Sequence, residues 1–361
     1  METKILKIDR NKINESDFEE AGKLLRNGEL VAFPTETVYG LGGNAMDAEA
    51  SRKIYAAKGR PSDNPLIVHI SKIEDLEEIA TDIPQTAYAL ADKFWPGPMT
   101  LILKKKECVP KSTTGGLDTV AVRMPSDEIA RTLIAVSKVF VAAPSANLSG
   151  RPSPTKASHV IEDMSGRIPM IIDGGSCSIG LESSIIDLTT EVPTILRPGF
   201  ITYADFKQVL EDTEKDFLSR DVQKTEVKVA KAPGMKYKHY APKGELTIVE
   251  GEPEKVVAYI NSKIEEQKNS DSKNIDESGK NIKVAVLATT ENHSLYNTDL
   301  IYDVGSRADE ESIARELFAA LRQFDDWEVP VIFSESFNDN KLSNAIMNRL
   351  LKAAGGKIVT V

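Results

Sequence analysis

Strand-length apolar segments alternate with amphipathic helical patterns along most of the chain, and this alternation limits the possible folds more than any other feature. In the first two hundred residues, Leu30–Pro34, Pro65–Ile70 and Thr119–Met124 are typical strands, and Pro84–Phe94 is a typical helix. Strands interleaved with helices form a sheet that helices cover on at least one face. We therefore expect an N-terminal α/β domain built on a twisted sheet.

One helix in this region has well-marked ends. It begins near Asp47, whose carboxylate can cap the first turn, and it stops at Lys58 and Gly59. The segment Thr35–Gly43, between the first buried strand and this helix, is predicted to be a polar turn.

A second α/β pattern starts at Glu245. Its strands are predicted at Leu246–Glu250, Ile282–Thr289, Leu300–Val304, Val329–Phe333 and Lys357–Val361. Helical stretches separate most of these strands, which is typical of a small, Rossmann-like parallel sheet. Apolar residues thin out between the two patterns, so we divide the chain into domains at 1–211 and 244–361, joined by a linker at 212–243.

The composition excludes several classes of protein. With 41% hydrophobic and 28% charged residues the chain has a globular balance, and its longest apolar runs have the length of strands rather than of membrane spans. Two cysteines are too few for a disulfide framework or a cysteine metal clamp. We expect an intracellular, cytoplasmic protein with no membrane partner. The formal charge of −10 argues against stable nucleic-acid binding, which rests on neutralising phosphates.

The short motifs of the common nucleotide-binding and hydrolase folds are absent. The sequence has no GxxxxGK[ST] loop, no GxGxxG after a strand, no HExxH and no GxSxG. Its four histidines show no paired spacing, so no metal site is predicted.

Six loops rich in small hydroxyl side chains, glycine and cations remain as candidates for a site. They are Pro34–Gly42, Lys58–Pro65, Thr113–Pro125, Ala142–Thr155, Gly180–Ser184 and Leu196–Gly199. Each loop alone has a local structural explanation. Six of them in one domain, with at least three cations, indicate a site for a phosphorylated ligand and a carboxylate.

Three residues of these loops, and His69 just after the second loop, have two interpretations that the sequence leaves open. Arg123, in an otherwise apolar strand, needs an anion, which is either a buried acidic side chain or a substrate carboxylate. His69 is either a core histidine or a ligand contact. Lys58 and Arg60 either complement the helix dipole or bind a polyphosphate.

The linker carries Tyr237 and Tyr240 among lysines. A basic linker that is only solvated would not need these rings, so we expect the segment to fold over the site as a lid.

Taken together, the motifs resemble the YrdC-type domain. The segments that carry the resemblance are PTETVYGLG (Pro34–Gly42), AKGRPSDNPLIVHI (Ala57–Ile70), WPGPMTL (Trp95–Leu101), TVAVRMP (Thr119–Pro125), APSANLSGRPSPT (Ala143–Thr155), GLESSI (Gly180–Ile185) and LRPG (Leu196–Gly199). The linker PGMKYKHYAP and the α/β domain after it are similar to the long, two-domain form of the threonylcarbamoyl-AMP synthases. One departure is Ser184, where the family pattern usually has threonine, and there the hydroxyl is kept.

The resemblance implies a reaction in which ATP, L-threonine and bicarbonate give L-threonylcarbamoyl-adenylate and pyrophosphate, for the N6-threonylcarbamoyladenosine of tRNA. It implies that threonine is surrounded by Thr35, His69, Thr119, Arg123, Ala143 and Ser183. It implies that the nucleotide is held by Lys58, Ser62, Asn64, Ser145, Asn147, Ser153, Arg197 and Tyr240. Lys58, Arg60 and Arg197 would be the catalytic cations, because they would neutralise phosphate charge. Mg²⁺ would come with ATP rather than sit in a protein cage, and the product would pass to a downstream tRNA threonylcarbamoyl transferase complex.

Two other functions are open. A binder of double-stranded RNA or tRNA would use the cations of the first domain, although the acidic total and the lack of an aromatic platform count against it. A carbamoyltransferase-maturation enzyme built on the same domain would carry zinc-finger-like cysteines, which two isolated cysteines do not supply.

Overall fold

A computed structural model describes residues 1–211, 218–219, 240–269, 283–338 and 341–361. The described residues form two compact units. The first unit consists of residues 1–149 and the described residues between 153 and 219, and the second consists of residues 150–152 and the described residues from 240 onwards. Most of the linker predicted at 212–243, including Tyr237, lies outside the described residues.

The described strands of the first unit form one mixed sheet. They are β1 (Lys4–Lys7), β2 (Val31–Phe33), β3 (Gly40–Asn44), β4 (Ile67–His69), β5 (Ala80–Thr81), β6 (Met99–Lys105), β7 (Thr119–Arg123), β8 (Val141–Ala142), β9 (Met170–Asp173), β10 (Ser184–Asp187), β11 (Thr194–Arg197) and β12 (Leu218–Ser219). Their order is β1-β9-β2-β3-β8-β4-β7-β6-β10-β11-β12, and β5 pairs with β6. The pairing of β4 with β7 is parallel and that of β6 with β7 is antiparallel.

Helices cover both faces of this sheet, whereas the sequence predicted helices on at least one face. They are α1 (Glu19–Arg26), α2 (Ala48–Lys58), α3 (Leu76–Ile79), α4 (Gln85–Phe94), α5 (Glu128–Ser137), α6 (Ala157–Met164) and α7 (Tyr203–Glu211). Consecutive residues of β2 point into different apolar clusters: Val31 and Phe33 pack with α1 and α5, and Ala32 packs into the cluster that contains residues of α4, α6 and α7. The sheet is therefore buried on both sides.

The ends predicted for helix α2 are confirmed. The side chain of Asp47 accepts a hydrogen bond from the backbone N–H of Glu49 at 2.8 Å and caps the first turn. Gly59 follows Lys58 in the left-handed region, with φ of +63°, and ends the helix.

The polar turn predicted over Thr35–Gly43 is wrong in its second half, where β3 runs antiparallel to β2. The strand escaped prediction because its glycines give no alternation of polar and apolar side chains. Packing explains the glycines: a Cβ on Gly42 would lie 2.8 Å from atoms of both Phe33 and Val141.

The second unit is a five-stranded sheet whose strand pairs are all parallel, which confirms the prediction of a small parallel domain. Its strands are β13 (Glu245–Glu250), β14 (Val284–Ala288), β15 (Ile301–Asp303), β16 (Val331–Glu335) and β17 (Ile358–Thr360), in the order β15-β14-β16-β13-β17. Its described helices are α8 (Pro253–Asn269), α9 (Glu310–Asp326) and α10 (Ser343–Ala353). Among the described helices of the whole chain, none is both long and apolar enough to cross a bilayer.

We predict that Leu101→Ala lowers the free energy of unfolding of the first unit by about 2–5 kcal/mol. Leu101 is fully buried in β6, so its truncation leaves a cavity. Urea unfolding followed by the fluorescence of Trp95, in a Trp327→Phe background, reports on the first unit, because Trp327 lies in the second. Ile161→Ala, on an exposed position of α6, is the control. Equal losses in the two variants would contradict the assignment of Leu101 to the core.

Candidate active site

Strand register brings predicted site residues from several strands onto one face of the first sheet. His69 of β4 is paired with Arg123 of the parallel strand β7, and Thr119 lies on the same face because it is an even number of residues from Arg123. Residues paired on neighbouring strands point to the same side of a sheet. From β7 this side continues to β6, β10 and β11 through the pairs Ala121–Ile102, Ile102–Asp187 and Ile185–Arg197. His69, Thr119, Arg123 and Arg197 therefore share one side of the sheet, above a small apolar cluster that includes Ile102 and Ile185.

Arg123 has a protein anion as its partner. Its Nη2 atom lies 2.7 Å from Oε1 of Glu36, and both side chains are only 5% exposed. Its Nη1 atom donates a hydrogen bond of 2.9 Å to the hydroxyl of Thr37. The structure thus supplies the buried acidic side chain, which was one of the two alternatives for Arg123.

This ion pair leaves hydrogen-bonding groups unused. Neither carboxylate oxygen of Glu36 makes a hydrogen bond within the described part of the chain, and the same holds for Nε and Nη2 of Arg123. Buried groups of this kind are costly unless something else completes them. Arg123 therefore keeps donors that a ligand carboxylate can use, so the second alternative is compatible with the first.

Thr35 belongs to the same network. Its hydroxyl lies 2.9 Å from that of Thr37 and donates a 2.7 Å hydrogen bond to the carbonyl of Val38. Because Thr37 also receives the hydrogen bond from Arg123, the threonines of the first loop and the arginine of β7 form one connected polar group.

His69 is a buried, neutral histidine. Burial, followed by the nearby charge of Arg123, lowers the pKa of His69 to about 3. Its Nδ1 atom lies 3.1 Å from the carbonyl oxygen of Ile67, and its ring meets that of Phe33 edge-on. Next to Arg123 the imidazole therefore contributes hydrogen-bonding atoms and no additional charge.

Lys58 joins the second and fourth loops. Its ammonium group donates hydrogen bonds to the backbone carbonyls of Ser145 and Asn147, and its own carbonyl accepts a 2.9 Å hydrogen bond from the N–H of Ser149. The hydroxyl of Ser145 in turn donates to the side-chain oxygen of Asn147. The buried ammonium group of Lys58 thereby holds Ser145 and Asn147, and all three residues are predicted to contact the nucleotide.

The loop after Lys58 carries three further predicted residues. Arg60 donates from Nη2 to the carbonyl of Pro65 at 3.2 Å, which folds the loop back on itself. Asn64 is buried, and neither its amide nitrogen nor its amide oxygen has a hydrogen-bond partner in the described structure. Ser62 is exposed on the same loop. Asn64 is thus a buried polar group that a ligand could complete.

The fifth and sixth loops are joined through Arg197. Its Nε atom donates to the carbonyl of Ser183 at 2.9 Å, and its Nη2 atom donates to the Ser183 hydroxyl at 3.0 Å. That hydroxyl also lies 2.7 Å from the hydroxyl of Thr100 on β6. Ser153 is fixed separately, since its hydroxyl donates to Glu182 at 2.7 Å.

The remaining predicted residues have simpler surroundings. Ala143 is buried and donates its N–H to the carbonyl of Ile67, which fixes it beside β4. Tyr240 belongs to the second unit, where its ring packs against Phe318 with 5.0 Å between centroids. Its role as a nucleotide contact stays a prediction.

Sequence reasoning missed the polar partners of the predicted residues. These partners are Glu36, Thr37, Thr100 and Glu182. Glu36 had a usable signal, because the argument that Arg123 needs an anion applies equally to a lone glutamate among buried residues. Thr100 had none, since its contact with Ser183 depends on strand pairing across more than eighty positions.

The arrangement can bind anions with fixed donors. Among the described residues, no group of three or more histidine, cysteine, aspartate or glutamate side chains could hold an ion. Lys58, Arg60, Arg123 and Arg197, together with hydroxyl and amide groups, can position a ligand and stabilise negative charge.

Two family models match the chain. A model of Sua5, YciO and YrdC proteins, described as "Telomere recombination", matches residues 23–199. A model described as "Threonylcarbamoyl-AMP synthase, C-terminal domain" matches residues 201–355. The two matches follow one another along the chain, one in each half.

Curated relatives match over nearly the full length. The chain is 48% identical over 352 residues to the threonylcarbamoyl-AMP synthase of Pyrococcus abyssi, and the match covers 98% of both proteins. It is 45% identical over 347 residues to the enzyme of the same name from Bacillus subtilis, with 96% of this chain and 95% of the relative covered.

A solved structure has the same fold over both units. The crystal structure of P. abyssi Sua5 complexed with L-threonine matches with a TM-score of 0.90 and 47% identity, over 99% of this chain and 100% of that one.

We predict that His69 makes stability depend on pH in the acid range. An ordinary histidine in the unfolded chain titrates near 6.5, whereas the folded His69 has a pKa of about 3. Between these values only the unfolded chain takes up the proton, so the contribution is fully present above about pH 6.5 and is lost as the pH falls towards 3.

The measurement is the free energy of urea unfolding against pH for the wild type and for His69→Gln. The difference between the two curves removes the effect of the other titrating groups. We expect the wild type to lose stability more steeply below pH 6.5, and two parallel curves would show that His69 is not held neutral.

Proposed function

The chain belongs to the threonylcarbamoyl-AMP synthase family, and we propose that the loops of its first unit bind L-threonine, bicarbonate and ATP and convert them to threonylcarbamoyl-AMP and pyrophosphate. Membership makes the chain an enzyme of nucleotidyl transfer. The assignment of individual residues to the two substrates is our proposal.

The buried Arg123 is the observation that supports the threonine half of the site. Its guanidinium group is fixed by the ion pair with Glu36 and the hydrogen bond to Thr37, and its Nε and Nη2 donors make no hydrogen bond of good geometry within the described residues. A carboxylate that reaches these donors gains charge-assisted hydrogen bonds without the cost of ordering the arginine. L-threonine, which the P. abyssi relative binds in its crystal structure, carries such a carboxylate.

The other threonine contacts follow from the same face of the sheet. Thr35 and Ser183 offer hydroxyls, Thr119 lies on β7 on the same side as Arg123, and the neutral His69 offers a ring nitrogen beside them. Ala143 brings a small buried side chain to this region. A small amino acid with its own hydroxyl suits a lining of this kind.

The nucleotide half rests on the cations of the neighbouring loops. Lys58, Arg60 and Arg197 carry positive charge that would neutralise the phosphates of MgATP, which enters as a substrate. The clamp of Lys58 on Ser145 and Asn147 holds these groups in place before the nucleotide arrives. The amide of Asn64 supplies both a donor and an acceptor that have no hydrogen-bond partner among the described residues.

The remaining nucleotide contacts are Ser62, Ser153 and Tyr240. Ser62 is exposed and accessible to a ligand, and Ser153 is oriented by Glu182. The ring of Tyr240 packs on that of Phe318. To contact the nucleotide, the tyrosine must therefore either bind it while still packed on Phe318 or move away from Phe318. In that case the tyrosine would act as part of a lid that keeps water from the carbamate.

The reaction needs no covalent bond to the protein. The amine of threonine combines with bicarbonate, releases water and becomes an N-carboxylate. One oxygen of this carboxylate then bonds to the α-phosphorus of ATP, while the bond from that phosphorus to the pyrophosphate oxygen breaks. Negative charge that develops on the leaving pyrophosphate is stabilised by Lys58, Arg60 and Arg197. Alignment of the N-carboxylate with phosphorus supplies the rest of the acceleration.

The product is a mixed anhydride of a carbamate and a phosphate, which water destroys readily. Its consumer therefore has to act in the same compartment, and we propose a tRNA threonylcarbamoyl transferase complex in the cytoplasm as that consumer. The acidic total of −10 supports a protein that releases a small molecule rather than one that holds the tRNA.

The test of the function is pyrophosphate release by the purified full-length chain, with mass spectrometry of the nucleotide product. We expect release only when L-threonine, bicarbonate and MgATP are all present, with threonylcarbamoyl-AMP as the product and no need for RNA. Release without threonine, or no acyl-adenylate with all three substrates, would contradict the proposal.

A second prediction separates the two halves of the site. Arg123→Ala should weaken L-threonine binding by roughly ten- to a hundredfold. This is the change in affinity expected from the loss of one charge-assisted hydrogen bond, about 1.5–3 kcal/mol. ATP binding should change little, because the cations of the nucleotide half remain. Titration of each ligand by calorimetry measures both effects.

Two further variants serve as controls for this experiment. Arg52→Ala removes an exposed arginine of α2 that pairs with Glu49 at the surface, and it should leave both affinities unchanged. Since Arg123→Ala leaves Glu36 buried without its partner, the double variant Glu36→Gln with Arg123→Ala shows whether the loss follows from the missing guanidinium or from a misfolded loop. An equal loss of both ligands in the double variant would overturn the assignment of Arg123.

A further inference from the structure

The second unit contains a cavity at the carboxyl edge of its own sheet. Its volume is about 230 Å³. It is lined by Glu250, Gly251, Glu252, Pro253, Val256, Asn292, Arg307, Glu335, Ser336 and Asn338. These residues lie at or just after the carboxyl ends of β13, β14, β15 and β16, or in the first turn of the helix after β13.

The topology of the sheet makes this edge a place where ligands bind. β13 and β16 are neighbours, and the chain leaves β13 towards β14 on one side of the sheet order and leaves β16 towards β17 on the other. In open parallel sheets, ligands occupy the crevice outside the carboxyl ends of strands whose connections run in opposite directions. The cavity lies at the ends of these two strands.

A buried glutamate organises the floor of the cavity. Glu335 has no exposed surface, and its carboxylate accepts hydrogen bonds from four groups besides arginine: the N–H and the hydroxyl of Thr289, the amide of Asn292 and the hydroxyl of Tyr296, at 3.0–3.2 Å. Its ion pair with Nη2 of Arg307 measures 2.6 Å. A buried charge satisfied this completely fixes the atoms around it.

Arg307 is the group that this arrangement holds in place. It also donates to the carbonyl of Ser336 at 3.1 Å, and its guanidinium group lies over the ring of Phe337. Its backbone N–H is bound by the carboxylate of Glu291 at 3.0 Å. The arginine on the cavity wall therefore needs no further ordering to meet a ligand, although buried ion pairs by themselves add little stability.

The charges that line the cavity are separated between its loops. Glu250 and Glu252 belong to the segment between β13 and α8, whereas Arg307 belongs to the loop between β15 and α9. Glu335 and Arg307 form one ion pair, so together they add no net charge to the lining, and Glu250 and Glu252 make it net negative. A simple anion would be repelled by the two glutamates, and a simple cation would meet the glutamates without contacting the guanidinium side of the cavity. A molecule with both charges satisfies the two sides at once.

The size and the apolar lining narrow the ligand further. A volume of about 230 Å³ is below the roughly 300–1,000 Å³ of pockets that hold drug-sized molecules. Pro253 and Val256 add an apolar wall next to the glutamates. We propose that this cavity is a second binding site that takes a free α-amino acid, with its ammonium group at Glu250 and Glu252 and its carboxylate at Arg307.

All residues that line this cavity belong to the second unit, and the proposal does not depend on the proposed function of the first unit. In the liganded state, the ammonium group donates hydrogen bonds to the two glutamates and the side chain of the amino acid lies against Val256.

Hydrogen exchange of the full-length chain, read by mass spectrometry of peptides, tests the proposal. The probes are the common α-amino acids one at a time, with acetate and propylamine as compounds that carry only one of the two charges. We expect at least one amino acid to slow exchange in peptides covering 250–256, 289–296, 305–308 and 334–338, and neither single-charge compound to do so. Protection confined to peptides of the first unit, or equal protection by acetate or propylamine, would overturn the proposal.

A matched pair of variants identifies the site. Glu250→Gln with Glu252→Gln should weaken binding of the protecting amino acid by roughly a hundredfold, because each of the two changes removes a charge-assisted contact. Glu245→Gln, at the other end of the same strand, should have no effect, since Glu245 pairs with Lys357 at the surface. Unchanged binding in the double variant, with the protein folded as judged by the same exchange data, would also overturn the proposal.

Discussion

An arginine buried in an apolar sheet has to meet a negative charge, and in the first unit this requirement is met by Glu36. The ion pair of 2.7 Å ties the loop after β2 to strand β7, and Thr37 adds a hydrogen bond to the same guanidinium group. The pair is worth little as a source of stability, because two charges lost their water. Its effect is to hold Arg123 in one orientation with donors still available. A carboxylate that binds to Arg123 therefore requires little additional loss of side-chain entropy in the protein.

The other cations follow the same principle of fixed donors. Lys58 binds the carbonyls of Ser145 and Asn147, and Arg197 binds both the backbone and the hydroxyl of Ser183. In each case the charge that would meet a phosphate also holds two loops together. Loss of one such residue therefore changes the geometry of its neighbours as well as the local charge. A site of this kind suits a reaction whose catalysis is mostly alignment and charge stabilisation, as nucleotidyl transfer to a carbamate is.

The second unit uses a buried carboxylate in the opposite role. Glu335 accepts hydrogen bonds from four groups and an ion pair from Arg307, so its charge is fully matched inside the protein. In the first unit, the carboxylate of Glu36 makes no hydrogen bond among the described residues. In the second unit, the carboxylate of Glu335 is fully hydrogen-bonded, and the other charged groups at the cavity belong to the loops on either side of it. The two units thus each fix one arginine with a buried glutamate, in different ways.

Much of this could be predicted from local sequence. The α/β class, the parallel second sheet, the Asp47 cap and the helix end at Gly59 depend on the period of apolar residues and on capping residues within a few positions, which a sequence displays directly. Arg123 could be marked as needing an anion for the same reason. Tertiary structure decided that Glu36 is this anion and that Thr100 contacts Ser183. It also decided strand β3 and the hydrogen-bond network around Glu335. These features arise where strands distant in the chain pair and bury polar groups together, and no local pattern specifies which distant group will arrive.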